Sequence, residues 1–277
     1  MSLQVIDDAS WADLQQRMRS GETFSPLLPL GDDAAYVWVP KNGCTTLKRA
    51  WLRLHGHTYM EGLTIHSAVL AETIWCTPAD LGAMAGQRKL MAIWRDPIDR
   101  FVSACRSHLS ELTTAHVLSR WRVSSAGDPV TYRAMASYHD QLFGEHSVQT
   151  FPDHSEPAEV MNAVALQLDS WIACHLNWSH HTLPQVSYLG GDPSVYTSVL
   201  GLEQIEVVLQ HWQQVSGVAL DATPQNASAA LASNDPWRRL QRRDLTPDAL
   251  GALERFYAAD FAFMTLAQQV LGEWPAA

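Results

Sequence analysis

The chain reads as an α/β domain: three layers, helices on both faces of a mostly parallel sheet. Three observations carry this. Ala34–Val39 and Leu90–Trp94 are continuous apolar runs of strand-favouring residues without polar alternation, the pattern of strands buried on both faces. Each run ends at a short polar loop. Each loop leads into a segment with helical periodicity. Buried strands that end in such loops and alternate with helices build an open α/β sheet.

In chain order, residues 1–20 hold one short helical pattern beginning near Ser10, with Leu14 and Met18 at i, i+4. Gly21–Asp33, with its prolines and glycines, reads as a connector. Pro40 stops the first strand, because it cannot continue the ladder and restricts the residue before it. Lys41-Asn42-Gly43-Cys44 then makes a tight turn, with Gly43 free to adopt a positive φ. From Thr45 the pattern is helical, with Leu47, Ala50, Trp51 and Leu54 at i, i+3, i+4 and i+7, and it runs out near Gly56. Strand, turn and helix N-terminus together make an anion cradle. The unpaired amides of the first helical turn and the helix dipole favour negative charge, Lys41 adds a full positive one, and Thr45 and Thr46 supply hydroxyls. The spacing is not that of Walker A, since the lysine comes two residues before the only glycine.

His57–Cys76 contains His57 and His66 and holds a candidate strand; Thr77 as cap and Pro78 at the first position open a short helix. Arg95 sits at the carboxyl end of the next strand, where ligands of open α/β sheets bind. Asp96 fits an N-cap and Pro97 the first helical position. Arg100, Ser103 and Ser107 then share one stripe of the helix. An arginine at the strand end and a serine about two turns on can grip one phosphate. The alternative, that Asp96, Asp99 and Arg100 are a cap and a solvated ion pair, stays open at this point.

Residues 110–155 mix polar side chains with Gly127-Asp128-Pro129 and Gly144 and read as an acceptor-side insertion or lid. Pro157–His175 reads as one helix, Gln185–Leu189 and Val195–Leu200 as short strands, and Leu202–Val215 as a helix. Pro236–Arg243 is basic, either a solvated helix face or a grip for the nucleotide or an acidic acceptor. Thr246 to about Leu271 closes the chain as one amphipathic helix. With no repeat, low-complexity segment or linker, residues 1–277 form a single domain with its core at about 34–265.

A net charge of −10 argues against a general nucleic-acid or anionic-membrane binder, so anion-binding groups have to be concentrated in one cleft. The cysteines at 44, 76, 105 and 174 form no CxxC pair and read as reduced thiols, not a disulfide framework or a zinc site. No leader pattern and no run of about 18 apolar residues is present, so a cytoplasmic protein without a membrane span is expected.

Pro40–Lys48, PKNGCTTLK, resembles the 5′-phosphosulfate loop of sulfotransferases, and Arg95–Ala104, RDPIDRFVSA, resembles their 3′-phosphate motif. The closer match is to the carbohydrate (membrane-type, family 2) branch, with its PK-x-x-C-T-x-x-K and R-[DE]-P-x-x-R-[LF]-V-S-A. In the same order, His181–Gln185 resembles that branch's H-x-x-P-Q, Leu202-Glu203 its E-x-L-like step, Asn226–Ser228 its N-x-S and Tyr257–Phe261 its Y-x-x-D-[FY]. The likeness runs from about Tyr36 to Phe263.

This resemblance implies a P-loop-like sulfotransferase fold in a bacterial-type soluble member, using 3′-phosphoadenosine-5′-phosphosulfate without a metal. The acceptor is then a hydroxyl of a carbohydrate or other small molecule. Lys41, Asn42, Gly43, Cys44, Thr45, Thr46, Arg95 and Ser103 would bind the donor, with Lys41 also acting on the leaving phosphate. His181 is the implied general base because it opens the H-x-x-P-Q segment, and His66 and His57 are rivals. Two alternatives stand beside this: a P-loop kinase using ATP, and an inactive nucleotide-binding protein. The displaced lysine and the lack of an evident acidic Mg²⁺ site weigh against the kinase. Oligomeric state is open.

Overall fold

The computed structural model describes residues 22–56, 69, 73–112, 151–152, 155–174, 176–220 and 234–270. The expectations for residues 1–20, for His57 and His66, for the insertion at 113–150 and for Asn226–Ser228 lie outside them. In chain order the elements are β1 (Ser25–Leu30), β2 (Ala34–Val37), α1 (Cys44–Leu54), β3 (Ile74–Cys76), α2 (Leu81–Ala85), β4 (Lys89–Trp94) and α3 (Pro97–His108). There follow α4 (Pro157–Leu166), α5 (Leu168–Cys174), α6 (Leu176–Thr182), α7 (Val186–Leu189), β5 (Tyr196–Gly201), α8 (Ile205–Ser216), α9 (Pro247–Phe256) and α10 (Ala258–Val270).

The strands form one sheet in the order β3-β1-β2-β4-β5. β2, β4 and β5 pair in parallel, whereas β1 is antiparallel to both its neighbours. β3 therefore runs with the other three, and β1 alone is opposed. The sheet is mixed and mostly parallel, as the apolar runs indicated.

Strand alternation sorts the side chains. On one face Leu28, Tyr36, Ile93 and Leu200 pack with Leu47, Ala50 and Trp51 of α1 and with Val208, Leu209 and Trp212 of α8. Tyr36 meets Trp212 edge-on at 6.0 Å between ring centroids, and the Trp51 indole donates to the Pro29 carbonyl at 2.7 Å. On the other face the Ser25 hydroxyl donates to the carbonyl of Tyr188 in α7, and Tyr196, opposite Leu90, meets Phe263 of α10 edge-on. Helices thus cover both faces, and burial of these aromatic and aliphatic groups is the main stabilising term.

The chain divides into two compact units. The first, Met1–Pro97 with Pro184–Asn226 and Ala258–Ala277, contains the sheet; the second, Ile98–Leu183 with Ala227–Tyr257, is helical among its described residues. We keep a single domain as a proposal, because the chain passes between units at 97/98, 183/184, 226/227 and 257/258, so that neither is one continuous segment.

Within the second unit Phe101 lies edge-on to Trp178. The Asn162 amide donates to the Asp244 carbonyl at 2.9 Å and accepts from the Thr246 amide at 2.7 Å, which fixes the start of α9. Thr246 caps that helix through the Ala249 amide. Arg100, fully buried, donates to the Leu183 carbonyl at 2.6 Å, and the Tyr257 hydroxyl to the Thr182 carbonyl at 2.7 Å.

Several expectations need correction. Gly21–Asp33 is not a connector, because β1 occupies its middle. Gln185–Leu189 is the short helix α7, not a strand. Pro157–His175 breaks at Gln167, where φ is −131°, and Thr246–Leu271 breaks at Tyr257. The basic stretch forms two 3₁₀ turns, Pro236–Arg239 and Arg242–Asp244, whose arginines are exposed. Arg100 is no solvated partner of Asp99; that place is taken by Arg242 at 3.7 Å. Cys44, Cys76 and Cys105 are thiols outside any disulfide, and no helix among the described residues is long and apolar enough to cross a membrane.

Tyr257→Phe deletes a donor to a buried carbonyl, and an unsatisfied buried group costs about 1–3 kcal/mol. Urea unfolding should show a lower midpoint at unchanged slope; an unmoved midpoint would mean that water replaces the hydroxyl.

Candidate functional site

β2 ends in a turn whose Asn42 amide donates to the Val39 carbonyl at 3.2 Å. Two residues of the turn are left-handed: Gly43 at φ 71°, and Lys41, also at φ 71°. For a lysine that conformation costs on the order of 1–3 kcal/mol and persists only where the surroundings over-determine it. Here they do. The Arg95 guanidinium donates to the Lys41 carbonyl at 3.1 Å. The Asn42 side-chain amide, fully buried, donates to the Ile93 carbonyl at 2.8 Å and to Gln185 Oε1 at 2.6 Å. A Cβ on Gly43 would sit 2.7 Å from Ile205 Cδ1 and 2.9 Å from Leu202 Cδ1, so a side chain there would have to displace those two side-chain ends at the α8 entry in addition to straining φ.

Gln185 completes the arrangement. Its Oε1 accepts the Arg95 amide at 3.1 Å, and its Nε2 donates to the Arg95 carbonyl at 2.8 Å. The side chain thus pairs with Arg95 as a strand residue would, one rung past the end of β4. Behind it the buried Asp260 carboxylate accepts the backbone amides of Gln185 at 2.9 Å and Val186 at 3.0 Å. That carboxylate caps α7, and this explains why a β-favouring sequence turns helical there.

Cys44, Thr45 and Thr46 form the first turn of α1, at the positive end of the helix dipole. It contains no acidic residue, so nothing in the helix competes with an external anion. Lys41, Cys44, Thr45 and Arg95 are half-buried and Thr46 is buried. The first unit therefore brings together Lys41–Thr46 and Arg95. Asn42 differs from the other loop residues, since its side chain is turned inward and holds the loop.

One turn into α1, Lys48 is 1% exposed, with its ammonium 3.2 Å from the centre of the Trp38 ring. Burial pulls its pKa down to about 8, against a smaller opposing electrostatic pull from the neighbouring Cys44. Sequence periodicity held no sign of this buried lysine.

Two expected site residues lie in the second unit. Ser103 is buried on α3, with its carbonyl accepting from the Ser107 hydroxyl at 3.1 Å. His181, half-buried on α6, stacks on His108 at 4.2 Å and 9° and meets the edge of His180. Sequence reasoning missed the parts played by Gln185 and Asp260. The one signal for them was their place in the H-x-x-P-Q and Y-x-x-D-[FY] patterns, which assigns neither a contact.

A family model described as "Sulfotransferase family" matches residues 32–264. Comparison with curated proteins and with solved structures returns no match.

Lys48 generates a pH signature. Between about pH 8 and the ordinary lysine value of 10.5, the unfolded chain keeps a proton that the folded chain has lost. The group therefore adds stability as pH rises through that window and loses it as pH falls through about 8. Urea unfolding of wild type and Lys48→Met at about pH 7 and about pH 10 should show the wild type gaining relative to the variant at the higher pH. A pH-independent difference would mean that Lys48 titrates alike in both states.

Proposed function

The chain belongs to the sulfotransferase family, and from that premise we propose that it moves a sulfuryl group from 3′-phosphoadenosine-5′-phosphosulfate to an acceptor hydroxyl. A carbohydrate or another small molecule is the proposed acceptor. The observation that carries this reading is the Lys41–Thr46 cradle, with Arg95 bonded to its backbone at the end of a parallel strand.

Sulfuryl transfer is an in-line displacement in which negative charge grows on the oxygen that stays with the leaving phosphate. Cations and amides already aimed at that oxygen are the strongest lever, and loss of one such donor costs on the order of 10²–10³ in rate. Lys41 and the amides from Gly43 to Thr46 take this role in the proposal. Arg95, and Ser103 by the motif it completes, hold the 3′-phosphate. A base has to remove the acceptor proton, a contribution of about 10²–10⁴. His181 is proposed for it, since an imidazole titrates nearest to neutral pH.

Calorimetry tests donor recognition. Adenosine 3′,5′-bisphosphate should bind without metal and far more tightly than adenosine 5′-monophosphate, and Arg95→Ala should remove most of that preference, a charge-assisted bond contributing about 1.5–3 kcal/mol. Equal affinity for the two nucleotides, or a preference for ATP with Mg²⁺, would overturn the donor assignment.

Metabolite screening with labelled donor identifies an acceptor on which the chemistry can be tested. Lys41→Ala and His181→Ala should each cut turnover at least about 10²-fold while leaving bisphosphate affinity within a factor of about three. Equal losses of turnover and affinity would make Lys41 a plain binding residue. Full turnover in His181→Ala would remove that histidine from the mechanism and move the search to His66 and then His57.

A further inference from the structure

We propose that Gln185, fixed by Asp260, is a positioning residue for Lys41: it locks the phosphate loop to the end of β4 and so sets where the lysine ammonium meets the leaving oxygen. This rests on the role given to Lys41 above.

The argument begins with what a loop lysine needs. Its side chain is long and flexible, so its backbone has to be held closely, and a misplacement of about 1 Å can cost about 10²-fold in rate. The Lys41 backbone is in a left-handed conformation that nothing local favours. Its restraint comes from the next residue, Asn42, whose amide reaches Ile93 O and Gln185 Oε1, and from Arg95 on its own carbonyl. Gln185 touches both restraints, since it bonds the Asn42 side chain and both backbone groups of Arg95.

The chemistry of the side chain is specific. Gln185 has to accept from Asn42 and Arg95 with one atom and donate to Arg95 with the other, which a neutral amide does and a carboxylate does not. A carboxylate would also place a second negative charge where Nε2 now lies 3.5 Å from Asp260 Oδ2. Asp260 in turn fixes the Gln185 backbone through two amides, so that the rotamer starts from a held Cα. Asn42, Gln185 and Asp260 are 0%, 3% and 1% exposed, so these bonds form away from competing water.

The test is a double-mutant cycle on cleavage of 3′-phosphoadenosine-5′-phosphosulfate with water as acceptor, followed in single turnover. Wild type, Lys41→Ala, Gln185→Glu and the double variant are compared, with thermal melting as a control for folding. Gln185→Glu should slow cleavage at least about 10-fold, and in the Lys41→Ala background it should cost no more than about 2-fold, because a positioning residue has nothing left to position. Should Gln185→Glu fail to fold, Asp260→Asn goes through the same cycle, since its new NH₂ faces a backbone amide it cannot accept from. Independent, multiplicative losses, or no loss at all, overturn the positioning role. A Lys41→Ala variant that cleaves at the wild-type rate instead overturns the role of Lys41, a separate and distinguishable failure.

Discussion

A single uncharged side chain ties the turn before α1 to the sheet. Gln185 uses both ends of its amide in a buried setting, and its partners are the backbone of Arg95, the buried Asn42 amide and, at 3.5 Å, the Asp260 carboxylate. In such surroundings a satisfied amide is worth little more than any hydrogen bond, but one left half-satisfied costs about 1–3 kcal/mol for each stranded group. Breaking any one of these bonds therefore strands a further buried group. That property suits a loop whose central lysine departs from ordinary backbone geometry, because intermediate arrangements are the costly ones.

The electrostatics follow from the same arrangement. A protein of net charge −10 has to make one locally positive place if it is to hold a highly charged donor. The first turn of α1, free of carboxylates, and the Lys41 and Arg95 cations beside it are what the first unit offers for that purpose. Asp260, the carboxylate of the network, is engaged by the amides of Gln185 and Val186.

How legible was this in the sequence? β2 and β4 were readable because buried parallel strands are apolar throughout, β5 as a short strand-favouring run after Gly190-Gly191-Asp192-Pro193, and the cradle because proline, glycine and the start of helical periodicity fall in a fixed order. β1 was not, because Pro26 and Pro29 read as breakers. In the fold their carbonyls still accept, from the Trp38 amide and the Trp51 indole, and the strand survives between two partners. α7 was misread because Val186 and Tyr188 favour strands, whereas the deciding contact comes from Asp260, far along the chain. The breaks at Gln167 and Tyr257 carry no proline or glycine to announce them. Periodicity reports which side of an element is apolar; it does not report which distant polar group a buried amide will find.

That distance has a consequence for how the protein is made. Gln185 lies 143 residues after Asn42 and 75 before Asp260. β2, the turn and α1 are local and can form as soon as they are synthesised, but the bonds that hold the turn in its left-handed geometry close very long loops, each paying its closure entropy before any contact repays it. During synthesis from the N-terminus this turn therefore exists first unpinned, and it reaches its final geometry only after α10 has left the ribosome. A ligand that needs the pinned geometry could not template the early stages of folding. It would act on the completed chain alone, by mass action on the native state.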